Sequence, residues 1–125
     1  MKIQLPILEQ EIADGRIISK ERTAIFNIDT SVYSEERWEQ NFPALAEKEG
    51  LFQYIERIQQ NSVTERVKVA CMLKAVYCFI ESEEVPTYKD FAQMFNLATP
   101  EYTTRMIEAL RSAFNAILNG SSVKN

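Results

Sequence analysis

The side chains of this sequence that could carry chemistry are two cysteines and a few neighbouring carboxylates. Cys71 and Cys78 lie in one apolar run, and on a helix their Cα atoms would be about 10 Å apart. That distance is too long for a disulfide between them. Buried free thiols that act as small apolar side chains are the simpler interpretation.

The carboxylates form adjacent pairs, Glu35 with Glu36 and Glu83 with Glu84. Neighbours in sequence do not face each other on a helix, so these acids suit a solvated surface better than a paired acid and base. The chain has no histidine and only three glycines, with no glycine-rich phosphate loop. We therefore expect no enzyme, no cofactor and no metal site.

The charge balance argues against a general nucleic-acid or anionic-membrane surface. Fourteen basic and eighteen acidic residues give a net charge of -4, and the first 50 residues hold six basic and ten acidic side chains. Glu9 and Glu11 stand where a signal peptide would have its apolar segment. These observations predict a cytoplasmic protein with nucleic acid as an unlikely partner and no membrane partner.

Residues 62–81 contain the densest apolar run, and from Val69 to Ile80 only Lys74 is charged. Ser62 followed by Glu65 is typical of a capping box, which predicts that the run begins as a helix. A helix that is apolar nearly all round has to be enclosed by other helices. The run is too short to cross a membrane, so we expect a buried central helix.

The first thirty residues differ from the rest of the chain. Short alternating stretches at Lys2–Leu5 and Thr23–Asp29, with a turn signal at residues 13–15, predict a small β-hairpin or extended arm. The connection is long enough for residues 16–20 to form one of the strands. A lone hairpin is marginal in water, so it has to pack on the helices, pair with another copy in a homo-oligomer, or dock a partner.

Capping residues and helical spacing predict five further helical segments. They are a helix at 34–40 with Tyr33 and Trp38 inward, a segment from Pro43 to Gly50 with Leu45 and Ala46 inward, a stripe formed by Leu51, Tyr54, Ile55 and Ile58, a helix that begins after Thr87, and a long helix from Pro100 to Gly120. The predicted fold class is mainly α: one domain over residues 1–125, with about five helices bundled around the central helix. It consists of a β arm at 1–30, a helical core at 31–120 and a flexible tail at 121–125.

The segment Phe91–Tyr102 has the pattern of a helix-turn-helix unit, with the small Ala92 and with Asn96 where that motif usually has glycine. Under this interpretation Thr103, Thr104 and Arg105 would read base edges, and the chain would be a small DNA-binding regulator of a phage or mobile element. Residues 86–125 carry four basic and three acidic side chains, which is few cations for phosphate contacts. A plain helical hairpin of the core is the simpler interpretation.

The segment Phe26–Glu39 (FNIDTSVYSEERWE), together with the length, acidic balance, helical make-up and long last helix, resembles the tail assembly chaperones of long-tailed phages and prophages of Gram-positive bacteria. In this family the protein is encoded just before the tape measure protein. The resemblance implies a non-enzymatic role in the host cytoplasm, in which copies of the chain bind the hydrophobic helical tape measure protein before the tail tube polymerises.

Such a role requires an apolar groove that accepts amphipathic helices. Aromatic and flexible methionine side chains suit a surface of that kind. The candidate partner-binding residues are Phe52, Tyr88, Phe91, Met94, Phe95 and Met106. An ordinary core position remains the alternative interpretation for each of them, because apolar residues at helical spacing usually face inward.

Overall fold

A long hairpin precedes all the helices. The computed structural model describes residues 1–60, 65–81 and 83–120, apart from the side chains of residues 65 and 66, and over these ranges it has one two-stranded antiparallel sheet and six helices. The elements are β1 (Lys2–Ala13), β2 (Arg16–Asn27), α1 (Val32–Asn41), α2 (Pro43–Ala46), α3 (Leu51–Gln60), α4 (Glu65–Phe79), α5 (Tyr88–Ala92) and α6 (Pro100–Gly120).

The prediction of a mainly α bundle of about five helices is wrong. Helices account for 55% of the described residues and strands for 23%, so the fold is better described as α+β. The difference arises because the predicted small arm is a full hairpin with two strands of 12 residues each. The predicted capping box at Ser62 and the predicted tail at 121–125 lie outside the described residues.

The hairpin pairs from Lys2 opposite Asn27 to Ala13 opposite Arg16. Asp14 and Gly15 form a two-residue turn with φ of 52° and 72°, and this left-handed pair matches the twist of the strands it joins. The turn signal is therefore confirmed, whereas the predicted strands were too short. Alternation fades after Leu8 because both faces of the distal half are exposed, so no buried face selects apolar residues there.

The proximal half of the hairpin belongs to the core. Five side chains on its inner face are buried, namely Ile3, Leu5, Ile7, Ala24 and Phe26. The hydroxyl of Tyr102 on α6 donates to the Pro6 carbonyl oxygen at 2.8 Å, and the backbone N–H of Asp29 donates to the Phe79 carbonyl oxygen at 2.7 Å. An isolated bridge pairs Ile28 with Ile80. These contacts fasten the root of the hairpin to α6 and to the end of α4.

The central helix is confirmed as the buried element, and its end differs from the one predicted. Within α4 and just after it, the side chains of Val69, Met72, Leu73 and residues 75–80 are buried. The helix ends at Phe79 rather than at residue 81, because Ile80 leaves it to pair with Ile28. Helices α1, α3, α5 and α6 and strand β1 supply apolar side chains to the same cluster.

The remaining helices follow the predicted spacing with one exception. All four stripe residues of α3 are buried, and Thr87 caps α5 by accepting a hydrogen bond from the Asp90 N–H at 3.1 Å. Tyr33 was predicted to face inward and is exposed. The buried face of α1 runs through Ser34, Arg37 and Trp38, which leaves Tyr33 off that face in the first turn.

Candidate binding site

A cleft of about 450 Å³ lies between the hairpin and the connection from α5 to α6. It is lined by Leu8, Gln10 and Ser19 from the hairpin and by Gln93, Phe95 and Asn96 from the connection. The Leu8 N–H donates to the Met94 carbonyl oxygen at 2.9 Å, which holds the two sides of the cleft together. The volume lies within the usual range of ligand-binding clefts.

Strand register explains why the hairpin residues of the cleft share a face. Residues directly opposite each other in an antiparallel pair place their side chains on the same side, and every second residue repeats that side. We call the side away from the core the outer face; it contains Leu8, Gln10 and Ile12 with their partners Glu21, Ser19 and Ile17. Ile12 and Ile17 are 81% and 71% exposed. An apolar pair therefore stands in solvent on the face that lines the cleft.

Short-range hydrogen bonds shape the opposite wall. α5 is only five residues long and begins at the Thr87 cap. Past it, the Asn96 side-chain oxygen accepts from the Ala98 N–H at 2.6 Å, an Asx-type turn that precedes the Pro100 start of α6. Phe95 stays half-buried because its ring packs against Phe91 with centroids 5.1 Å apart. The wall thus offers part of an aromatic ring beside exposed polar side chains.

The lining of the cleft combines apolar surface with neutral hydrogen-bonding groups. Leu8 and Phe95 supply the apolar part, while Gln10, Gln93 and Asn96 each carry both a donor and an acceptor. None of the lining residues is ionisable. This combination suits the backbone and apolar side chains of a polypeptide better than it suits an ion or a phosphate.

A charged contact borders the outer face. Arg105 of α6 donates to the Glu21 carboxylate from both Nη2, at 2.5 Å, and Nε, at 3.2 Å. The hydrogen bond from Arg105 lowers the pKa of Glu21 below its ordinary value, and the same bond raises the pKa of Arg105. A second ion pair joins Glu9 and Arg22 across the strands. Arg105 therefore ties the outer face of the hairpin to α6 by charge, while the Glu9–Arg22 pair links the two strands on the opposite face.

The six residues predicted to bind a partner do not form one groove. Phe91 and Met106 are fully buried in the core, so the prediction that they contact a partner is corrected: their surfaces are covered by neighbouring core side chains. Tyr88 is half-buried, with its ring against Phe42 and Tyr77.

The other three predicted residues are divided between two regions. Met94 and Phe95 lie at the cleft. Phe52 lies elsewhere, stacked edge-on against Phe79 at 5.3 Å and lining a separate hollow with Leu118. Sequence reasoning missed the outer-face residues Leu8, Gln10, Ile12 and Ile17. The available signal was the spacing of Leu8 and Ile12 on one side of a strand, once the turn at Asp14 and Gly15 fixes the register.

The three residues of the DNA-reading alternative are engaged within the chain. The Thr103 and Thr104 hydroxyls donate to the carbonyl oxygens of Thr99, just before α6, and of Pro100, its first residue, and Arg105 is paired with Glu21. The connection from residue 93 to 99 is also longer than the tight turn of a helix-turn-helix unit. No observation here favours the alternative, which stays a prediction.

A smaller hollow of about 200 Å³ is lined in part by the buried Arg37. Arg37 is 4% exposed, its Nη1 donates to the Cys78 carbonyl oxygen at 3.3 Å, and its guanidinium lies 4.7 Å from the centre of the Tyr77 ring. Its Nη2 has no hydrogen-bond partner within the described ranges. Because Cys78 is in the last turn of α4, the cation stabilises the negative end of that helix. We interpret Arg37 as a structural residue.

The described part of the chain has neither a metal-binding cluster nor a membrane-spanning helix. No group of three or more Cys, Asp and Glu side chains there is placed to hold a metal ion. No helix among these residues is long and apolar enough to cross a membrane. Compared with known proteins, the chain matches no family model, no curated protein and no solved structure.

Proposed function

We propose that the chain is a non-enzymatic binding protein that receives an apolar segment of another protein in the cleft between the hairpin and the connection from α5 to α6. The observation that carries the proposal is the exposed pair Ile12 and Ile17 on the face that lines this cleft. Isolated exposed apolar side chains are ordinary on protein surfaces. A directly paired couple beside an uncharged cleft is a better candidate for a contact surface.

The proposed partner is an amphipathic helix, and the proposed role is that of a phage tail assembly chaperone that holds a tape measure protein in the bacterial cytoplasm. The resemblance of residues 26–39 to that family supports this role. The cleft supports it because apolar and neutral polar groups together accept the apolar face of a helix without demanding one sequence. The partner-binding residues proposed now are Leu8, Ile12, Met94 and Phe95, with Phe52 outside the set.

Co-expression with a tape measure protein, the partner that the proposed role requires, tests the proposal. The wild-type chain is expected to keep that protein soluble and to co-purify with it, and Ile12→Lys is expected to abolish both effects. Val32→Lys is the matched control, because Val32 is 77% exposed and lies at the start of α1, outside the cleft. Both substitutions put the same charge on an exposed apolar position.

Two results would overturn the proposal. One is equal co-purification by the wild type, Ile12→Lys and Val32→Lys, which would remove the cleft from the binding surface. The other is salt-sensitive binding to duplex DNA that Arg105→Ala weakens, which is the result expected of the DNA-binding regulator.

A further inference from the structure

The two edges of the hairpin differ in how their backbone groups are used. Alternate residues of an antiparallel strand direct N–H and C=O either toward the partner strand or outward. The Leu8 N–H leaves the hairpin to reach Met94, and the Asn27 N–H leaves on the other side to reach the Glu84 carboxylate, which identifies the outward positions. On β2 they are Ile17, Ser19, Glu21, Thr23 and Ile25, and within the described residues their backbone groups have no hydrogen-bond partner.

The outward backbone groups in the middle of β1 have hydrogen-bond partners, whereas those of β2 do not within the described residues. Pro6 occupies an outward position of β1, where proline removes a donor without costing the hairpin a hydrogen bond, and its carbonyl accepts from Tyr102. Leu8, the next outward residue, is bonded to Met94. β2 has no proline and no such contact from residue 17 to residue 25. The β1 edge is therefore interrupted at Pro6 and Leu8, whereas β2 offers five successive outward positions to an added strand.

The distal hairpin also lacks the support that a two-stranded ribbon needs. Residues 9–23 are exposed throughout, and a ribbon of two strands is marginal in water unless a third strand or a packed face supports it. A strand paired with the edge of β2 would supply that support.

We infer that the outer edge of β2 pairs antiparallel with the same edge of a second copy of this chain, about a two-fold axis at Glu21, to give a four-stranded sheet. The side-chain pattern is symmetric about that residue. Ile17 comes opposite Ile25 of the second copy, and Ser19 comes opposite its Thr23. Ile17 and Ile25 are 71% and 58% exposed in the single chain, and the pairing brings them into contact side by side while the outer face of the sheet stays open.

Neighbouring registers fit less well. Moving the axis to Arg22 requires the outward groups of Asn27, which are already bonded to Glu84 and Glu81. Moving it to Lys20 places Ile17 opposite Thr23 and leaves Ile25 unpaired. Only the axis at Glu21 uses all five open positions.

The charges at this interface each have a counter-charge nearby. The two Glu21 carboxylates meet at the axis, and each is already bonded to its own Arg105. On the other face Lys20 comes opposite Arg22 of the second copy. Glu9 lies close to both cations of its own chain, because it is bonded to Arg22 and is the cross-strand partner of Lys20. Self-pairing is therefore compatible with the charged residues that usually protect an edge strand.

Two proline substitutions at the same height of the hairpin test the inference. Gln10 and Ser19 are direct cross-strand partners, and both have outward N–H groups, on opposite edges. Light scattering coupled to size-exclusion chromatography is expected to give twice the 14.5 kDa chain mass for the wild type and for Gln10→Pro. Ser19→Pro is expected to give a single chain with an unchanged circular dichroism spectrum.

A measurement on the unsubstituted protein keeps the test independent of how the variants fold. Amide hydrogen exchange should show protection of Ser19, Glu21 and Thr23 that is lost on dilution, and none at Gln10 or Ile12. The inference is overturned by a wild type that is a single chain at every concentration, by a folded Ser19→Pro that remains a dimer, or by loss of the dimer in both proline variants. It does not depend on the proposed function, which is tested separately at Ile12.

Discussion

Arg105 on α6 and Glu21 on β2 are joined by two hydrogen bonds, of 2.5 Å and 3.2 Å. They are 84 residues apart in sequence, so this pair fixes the middle of the hairpin against the last helix. The pKa of Glu21 is lowered from 4.5 chiefly because Arg105 donates to its carboxylate.

The Glu21 pair predicts a pH dependence of stability. A carboxyl whose pKa is lower in the folded state stabilises that state above its unfolded pKa, and this contribution is lost as the pH falls through the folded value. The melting temperature of the wild type should therefore exceed that of Glu21→Gln by a constant amount above about pH 4.5, and the difference should shrink below it. Because the pair is exposed, added salt should also reduce the difference. A difference that does not change with pH would contradict the assignment.

Alanine substitutions at Phe91 and Leu97 should affect stability very differently, because one side chain is buried and the other is exposed. Phe91 is fully buried and contacts the rings of Phe26, Tyr77 and Phe95, so Phe91→Ala is expected to lower the free energy of unfolding by about 3–5 kcal/mol. Leu97→Ala should change it by less than about 0.5 kcal/mol, because Leu97 is exposed. Urea denaturation followed by circular dichroism measures both. Equal effects would show that Phe91 is not covered in solution.

The Cys78 thiol should be unreactive in the folded protein. Burial raises its pKa to about 12, and the thiolate is the reactive form, so almost none is present near pH 8. Cys71 is only half-buried. We expect a thiol reagent to modify at most Cys71 in native buffer and both cysteines in urea, with mass spectrometry of peptides as the readout. Rapid modification of Cys78 without denaturant would contradict its position at the end of α4.

Substitution of Gly15 should destabilise the distal half of the hairpin without affecting the core. No atom lies within 4 Å of the position a Cβ would take, so Gly15→Ala is opposed only by its left-handed backbone, at about 1–2 kcal/mol. Residues 9–20 are all exposed, so this cost should appear as faster amide exchange there at an unchanged melting temperature. Asp14→Asn is the control, since asparagine adopts the same backbone region readily. Unchanged exchange in Gly15→Ala would show that the turn does not hold the strands.

Elements with a buried face on one side were predictable from the sequence. The stripe of α3, the cap at Thr87 and the start of α6 at Pro100 follow from local rules, and the structure contains them. The turn at Asp14 and Gly15 could likewise be predicted from its own residues. The length of the strands was not predictable from the sequence. Residues beyond Leu8 are exposed on both faces, so apolar and polar side chains do not alternate there.

The candidate site was less predictable than the fold, because burial depends on neighbours distant in sequence. Phe91 and Phe95 look equivalent as a helical pair, and it is Phe26 of β2 that covers Phe91 and leaves Phe95 at the cleft. Arg37 is buried because the end of α4 and the Tyr77 ring receive it. Neither the contact of Phe26 with Phe91 nor the burial of Arg37 against α4 can be predicted from composition and residue spacing.

The bond from Tyr102 to Pro6 spans 96 residues and joins the first strand to the last helix. On the ribosome the inner face of the hairpin emerges first and meets α6 only after the intervening chain has been made, roughly 5–20 s later at typical rates of synthesis. During that interval Ile3, Leu5 and Ile7 have no cover from α6. Completion of this core therefore waits for the synthesis of α6, and a nascent chain that stalls before α6 would expose an uncovered apolar strand to the quality-control machinery of the cell.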